Sequence, residues 1–302
     1  MSVEATAISL SNLEQSLNLG RKNYEVSGHV VDVSWKKFKP VASTGSDQSI
    51  FFFGGWPGGE TRASLGGLCQ AMSNISGSPT FSLYARSKDF GQFSAMQEAE
   101  AVSRFISDDA ANQIVLSGHS LGGTKAIDVA YLLQHLNPKK QVNGLILFNS
   151  VGLYDTSELL LSVMSIIENL VSTPRALLTN SFIAKEVLQG YLDVILGIVS
   201  RLRTDRMSFP KRASAESKMA CSLNPRLKDV TVPIVVLEGK NDLISDYSKV
   251  NGTAFGDNPK IKIVVGKKVG VHGFPLFQSE KAAKVGLYLL ERESRVPLTN
   301  GS

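Results

Sequence analysis

Ile114-Val115-Leu116-Ser117-Gly118-His119-Ser120-Leu121-Gly122-Gly123 reads as an apolar strand running into a Gly-x-Ser-x-Gly turn. The residues that follow, Thr124 to Leu136, carry helical spacing until Asn137-Pro138 stops them. A serine on a sharp strand-to-helix turn projects its hydroxyl from the edge of a sheet. Small residues two positions either side, Gly118 and Gly122, let strand and helix approach closely, and such a turn tolerates strained backbone. The helix N-terminus behind it offers free N–H groups and the positive end of a dipole to a developing oxyanion. The bare motif arises by chance roughly 0.1–0.2 times in a chain of this length. The flanking strand and helix therefore carry the weight, and they make Ser120 a candidate nucleophile.

The same rhythm extends outward from this stretch. Ser49 to Phe53 is a short, wholly apolar run stopped by Gly54-Gly55, as expected of a strand buried on both faces. Thr80 to Ala85 and Leu145 to Phe148 read as strands, and Ala95 to Ile106 as a helix with Met96, Ala99, Val102, Phe105 and Ile106 on one face. Pro233 to Glu238 and Ile261 to Val265 read as further strands, and Ser279 to Glu291 as a closing helix. Alternation of this kind predicts an α/β fold with a mostly parallel central sheet flanked by helices. Tyr24 to Trp35 partly alternates and reads as one or two edge strands. From Val151 to Pro225 the rhythm breaks, leaving helical segments at 158–170, 175–178 and 183–202. A helical block between two sheet strands predicts a cap over the sheet's carboxyl edge. The expected organisation is a core of residues 22–150 and 226–302, a helical cap of 151–225, and an N-terminal arm of 1–21.

Composition narrows the function classes. Of 302 residues, 43% are hydrophobic and 20% charged, enough apolar material for a large core and too little charge for a disordered scaffold. The net charge of +5 lacks the single basic stripe of a nucleic-acid protein. The one modest cluster holds Arg201, Arg203, Arg206, Lys211, Arg212, Lys218, Arg226 and Lys228, and its plain reading is a solvated face. Two cysteines, Cys69 and Cys221, exclude a disulfide framework and a cysteine zinc site, and four histidines limit a histidine metal site as severely. No signal peptide or long apolar span stands out, so a cytoplasmic protein without stable membrane insertion is expected.

These motifs resemble the α/β-hydrolase superfamily, in its capped serine-hydrolase branch, over nearly all of residues 22 to 292. The resemblance implies triad partners in the chain order Ser, Asp or Glu, His. Pro233 to Asp242 matches the family's apolar strand followed by Gly-x-x-Asp, which implies Asp242 as the acid, with Asp246 as fallback. His272, on the loop before the closing helix, is the one histidine after Asp242 and is implied as the base. The amide of Leu121 would supply one oxyanion donor. Phe53-Gly54-Gly55-Trp56-Pro57-Gly58-Gly59 resembles the family's His-Gly-x-Pro loop and would supply the other from Trp56, although Gly54 stands where the family has histidine. His119 is expected to pack under the turn. Gly55, His119 and Phe274, the sequence neighbours of these groups, are the candidates to line a substrate.

What the resemblance implies is hydrolysis of carboxylic esters through an acyl-enzyme, with no cofactor or metal and a small-molecule substrate. Serine rather than aspartate at position 120 argues against haloalkane dehalogenases and epoxide hydrolases. Apolar faces at 159–167 and 194–199 are mainly cap packing, and secondarily suggest an apolar acyl pocket. Thioesterases, acyltransferases and carbon–carbon hydrolases share the constellation. An aminopeptidase would want cap carboxylates such as Glu158, Glu168 or Glu186. A ligand receptor on the same fold is the non-enzyme alternative.

Overall fold

In the computed structural model of the chain, the residues described are 18–42, 45, 47–55, 63–87, 94–136, 139–158, 209–239, 242, 244, 261–266, 275 and 278–295. The strands are β1 (Asn18–Val26), β2 (His29–Phe38), β3 (Gln48–Phe53), β4 (Thr80–Ser87), β5 (Gln113–His119), β6 (Gln141–Phe148), β7 (Ile234–Gly239) and β8 (Ile261–Gly266). The helices are α1 (Ala63–Ser76), α2 (Ala95–Asp108), α3 (Leu121–Leu136), α4 (Phe209–Cys221) and α5 (Ser279–Arg295), with a 3-10 turn at Leu227–Asp229. The strands form one sheet in the order β1-β2-β4-β3-β5-β6-β7-β8. β1, β2 and β4 pair antiparallel, and every later pairing is parallel.

Period-two alternation explains how one apolar run serves two cores. In β3, Phe51 and Phe53 join α2 and α3 on one face of the sheet, while Ile50 and Phe52 join α1 and α5 on the other. All four are at most 3% exposed, and burying such a side chain contributes about 1.5–3 kcal/mol. Phe51 stacks on Phe81 at 5.0 Å, and Phe105 of α2 meets both edge-on at 6.3 and 6.2 Å. The result is a helix–sheet–helix sandwich.

The parallel α/β pattern predicted from the sequence is the one found, with differences that have physical causes. β2 is not an edge: it pairs with β1 on one side and β4 on the other, so β1 alone forms that margin. β1 also starts at Asn18, ahead of the alternating stretch, because antiparallel pairing with Lys37 extends the hairpin. α3 starts at Leu121 rather than Thr124, since tertiary contacts of its two glycines outweigh their poor helix propensity. α1 and α4 were not foreseen. In the first, Leu68, Cys69 and Met72 are buried at helical spacing but sit among serines and glycines, and the second is mostly charged and small residues. The helical segments expected across 159–208 lie outside the described residues.

Candidate active site

Strand order reverses around β3, whose neighbours β4 and β5 both follow it in the chain. Such a switch point leaves a crevice outside the carboxyl ends of the strands. Ser120 sits there, between the last residue of β5 and the first of α3, with φ +56°. A left-handed serine costs about 1–2 kcal/mol, so the surroundings must hold it. Its N–H donates to the Phe148 carbonyl (3.1 Å), and its own carbonyl accepts from the N–H groups of Gly123 (3.0 Å) and Val151 (3.3 Å). Ser120 is partly exposed, while His119 and Leu121 beside it are 4% and 3% exposed. His119 continues the alternation of Val115 and Ser117, which places it on the α1/α5 face, away from the Ser120 turn.

Two glycines make the corner sterically feasible. A Cβ on Gly122 would collide with the Phe53 carbonyl and lie 2.8 Å from the Gly54 oxygen, so α3 docks on the end of β3 only without a side chain there. A Cβ on Gly55 would lie 2.7 Å from Ser120 Cβ and 3.3 Å from Ser120 Oγ. The backbone after β3 thus comes directly against the serine hydroxyl, and Gly55 is itself buried.

The acid candidate stands two strands along. Asp242 is 6% exposed and closes the turn after β7 by donating its N–H to the Gly239 carbonyl (3.0 Å). Its Oδ1 accepts from the Ile244 N–H (2.8 Å). Two residues past β6 steady this turn. The Asn149 Oδ1 accepts the Gly239 N–H at 2.9 Å, and the Tyr154 hydroxyl donates to the Ile244 carbonyl at 3.1 Å. The segment 151–158 meets the end of α4, with the Thr156 N–H donating to the Cys221 carbonyl (2.7 Å).

Next to Gly54 and Gly55 lies a cavity of about 30 Å³, lined also by Leu83, Val102, Leu121 and an ionic group. In that group the Lys125 ammonium of α3 lies 3.4 Å from Glu216 of α4 and 3.9 Å from Glu98 of α2. Both carboxylates are at most 4% exposed, so the pairing joins three helices around the crevice. Deeper in α3, burial pushes the Asp128 carboxyl above the usual carboxylate range, against the opposing pull of Asn224, Arg226 and Lys125. Burial pushes the Cys69 thiol up to about 12 and raises that of Cys221, so both stay protonated at neutral pH. Among the described residues no group of three or more His, Cys, Asp or Glu is placed to hold a metal ion.

Of the residues singled out from the sequence, Ser120, Leu121, Gly55, His119 and Asp242 are described. Trp56, His272, Phe274 and Asp246 lie outside the described residues, as do Glu168, Glu186 and the arginines 201, 203 and 206. Arg226 is bound inward, 3.5 Å from Asp128 and over the Tyr131 ring. Glu158 is exposed. Sequence reasoning missed Lys125, Glu98, Glu216 and Asn149. For Asn149 a weak signal existed, an asparagine directly after an apolar strand, where left-handed backbone is common.

No family model matches the sequence, and no curated protein matches it. Solved structures do. A membrane phospholipase A, described as a bacterial virulence factor, superposes with TM-score 0.64 at 16% identity, over 97% of this chain and 93% of that one. The enol-lactonase of Burkholderia xenovorans gives 0.59 at 14% identity, over 89% and 100%. An α/β-hydrolase enzyme from a lagoon-sediment metagenome gives 0.55 at 16% identity, over 90% and 98%. The fold is that of the α/β-hydrolases. Among the described residues no helix is long and apolar enough to cross a membrane.

Proposed function

We propose that the chain is a serine hydrolase that cleaves carboxylic esters through an acyl-enzyme, with Ser120 as nucleophile, His272 as base and Asp242 as acid. One observation carries the reading: a partly exposed serine at φ +56°, at the strand switch point, with the backbone of Gly55 packed against its hydroxyl. That arrangement suits a carbonyl bound between an attacking oxygen and backbone donors. Leu121, first residue of α3, supplies one such N–H and Trp56 the other.

The chemistry follows from the roles. Ser120 is a weak nucleophile until His272 takes its proton during attack on the ester carbonyl. The oxyanion is stabilised by the two amides, the alcohol leaves with the proton from His272, and water then repeats the sequence on the acyl-enzyme. Asp242 holds the imidazole's orientation and stabilises the imidazolium. The backbone bonds at Gly239 and Ile244 suit it to that task, since they fix the turn that carries its carboxylate. Neighbours named as a phospholipase and an enol-lactonase support an ester carbonyl as the electrophile. The substrate is a small-molecule ester with an apolar acyl group, in keeping with the apolar sequence at 159–167 and 194–199, and the reaction is cytoplasmic and needs no cofactor.

The test is hydrolysis of p-nitrophenyl acetate, butyrate, octanoate and palmitate by the native protein and by Ser120→Ala. Turnover is expected in the native chain and should fall by at least about 10⁴-fold in the variant. The chain-length optimum then measures the acyl pocket. No turnover of any ester by folded native protein would replace the ester reading with a carbon–carbon hydrolase or a receptor.

A further inference from the structure

We propose that Asn149 is a positioning residue for the catalytic acid. The inference rests on the triad reading above and adds a fourth residue to it. Asn149 is the first residue past β6, wholly buried, with φ +42°. The ladder between β6 and β7 ends at the pair Phe148 and Leu237. Beyond that pair β6 offers no further strand partner to Gly239, and the Asn149 side chain takes over. Its Oδ1 accepts the Gly239 N–H at 2.9 Å, while its own N–H donates to the Leu237 carbonyl at 2.8 Å.

These bonds link both corners of the site. The Ser120 N–H donates to Phe148 O (3.1 Å), the next residue is Asn149, its amide holds Gly239, and the Gly239 carbonyl receives the Asp242 N–H (3.0 Å). Every step from nucleophile to acid is a peptide bond or a hydrogen bond, and Asn149 contributes the side-chain link. Without it a buried N–H is left unmade, which is costly. The turn then shifts toward a new partner and carries the Asp242 carboxylate with it. The residue type is constrained as well. A short acceptor in left-handed backbone means asparagine or aspartate, and aspartate would add a carboxylate close to Glu238, which is 1% exposed and accepts the Ser150 N–H at 3.3 Å.

The test uses a fluorophosphonate probe, which reports serine activation without knowledge of the substrate. Second-order labelling rates are measured from pH 5 to 9 on the full chain, with thermal melting in parallel, for native protein, Ser120→Ala, Asp242→Asn, Asn149→Gly and Asn149→Asp. Native protein should label and Ser120→Ala should not. Asp242→Asn should slow labelling by about 10³-fold or more. Asn149→Gly, which accommodates the backbone and removes the acceptor, should slow it on the order of 10²-fold. Its pH midpoint should fall, because a displaced carboxylate stabilises the imidazolium less. Asn149→Asp keeps the acceptor and should label within about tenfold of native even where its melting temperature is the lower of the two. Rates that simply follow melting temperature, or Asn149→Gly at native rate and midpoint, would overturn the positioning role and leave the triad standing. Asp242→Asn at native rate would overturn the triad and this role together.

Discussion

The corner that holds Ser120 and the corner that holds Asp242 end neighbouring parts of one sheet, yet different forces shape them. At Ser120 the decisive term is space. Gly122 has no room for a methyl group against Phe53, and Gly55 has little against the serine. At Asp242 the decisive term is bonding. Asn149, Tyr154 and the aspartate's own amide and carboxylate fix a short turn through four directed contacts. A crowded corner resists any added atom, whereas a bonded corner tolerates volume and fails when a donor or acceptor is lost. This difference predicts the order in which substitutions should hurt.

The largest effect is expected at the crowded corner. Gly122→Ala forces the start of α3 away from the β3 carbonyls, and because the obstacle is backbone no rotamer change relieves it. A loss of about 3 kcal/mol or more is expected in urea unfolding, at the upper end of overpacking costs. A loss below about 0.5 kcal/mol, the level of an ordinary surface substitution, would show that the corner is not limited by space.

The same contrast explains what could be read from the sequence. At Ser120 the small residues that the turn needs include close sequence neighbours, so Gly118, Ser120 and Gly122 announced the turn and the parallel sheet around it, even though the backbone they make room for, Phe53 to Gly55, is distant in the chain. β3 was equally legible, since Ile50 to Phe53 must be buried on both faces. Two of the four bonds at Asp242 come from residues ninety positions away, and nothing near Asn149 or Tyr154 points to Gly239 or Ile244. The ionic group of Lys125, Glu98 and Glu216 was hidden for the same reason, because its members come from three helices, one of which, α4, lacks an apolar stripe. α1 was missed because its glycines and serines imitate a loop.

A middle-sized effect sharpens the account of the nucleophile corner. Ser120 occupies left-handed backbone, which costs an alanine as much as a serine. Ser120→Gly should therefore melt above Ser120→Ala, by up to about 1 kcal/mol after the extra chain entropy of glycine is subtracted. Both variants should be inactive on esters. Glycine is ordinarily the less stable residue, so the reversed order in paired thermal melts is the diagnostic outcome. The ordinary order would mean that the turn is unstrained and that the serine gains nothing from its backbone.

The smallest effect belongs to the bonded corner and tests its logic most directly. Tyr154→Phe deletes one hydroxyl, leaves the ring in the core and adds no volume. At a space-limited corner such a change would be silent. Here the hydroxyl donates to the Ile244 carbonyl, two residues past Asp242, and that carbonyl would be left without it. About 0.5 kcal/mol of stability should be lost, the low end for a single part-buried hydrogen bond. If Asp242 is the acid as proposed, the activity change should appear in kcat rather than KM, because the proposed role acts on the imidazolium formed during reaction and does not touch bound substrate. A loss confined to KM would place Tyr154 with the substrate's surroundings instead. An unchanged kcat and stability would mean that the Tyr154 hydroxyl contributes nothing to holding the Asp242 turn.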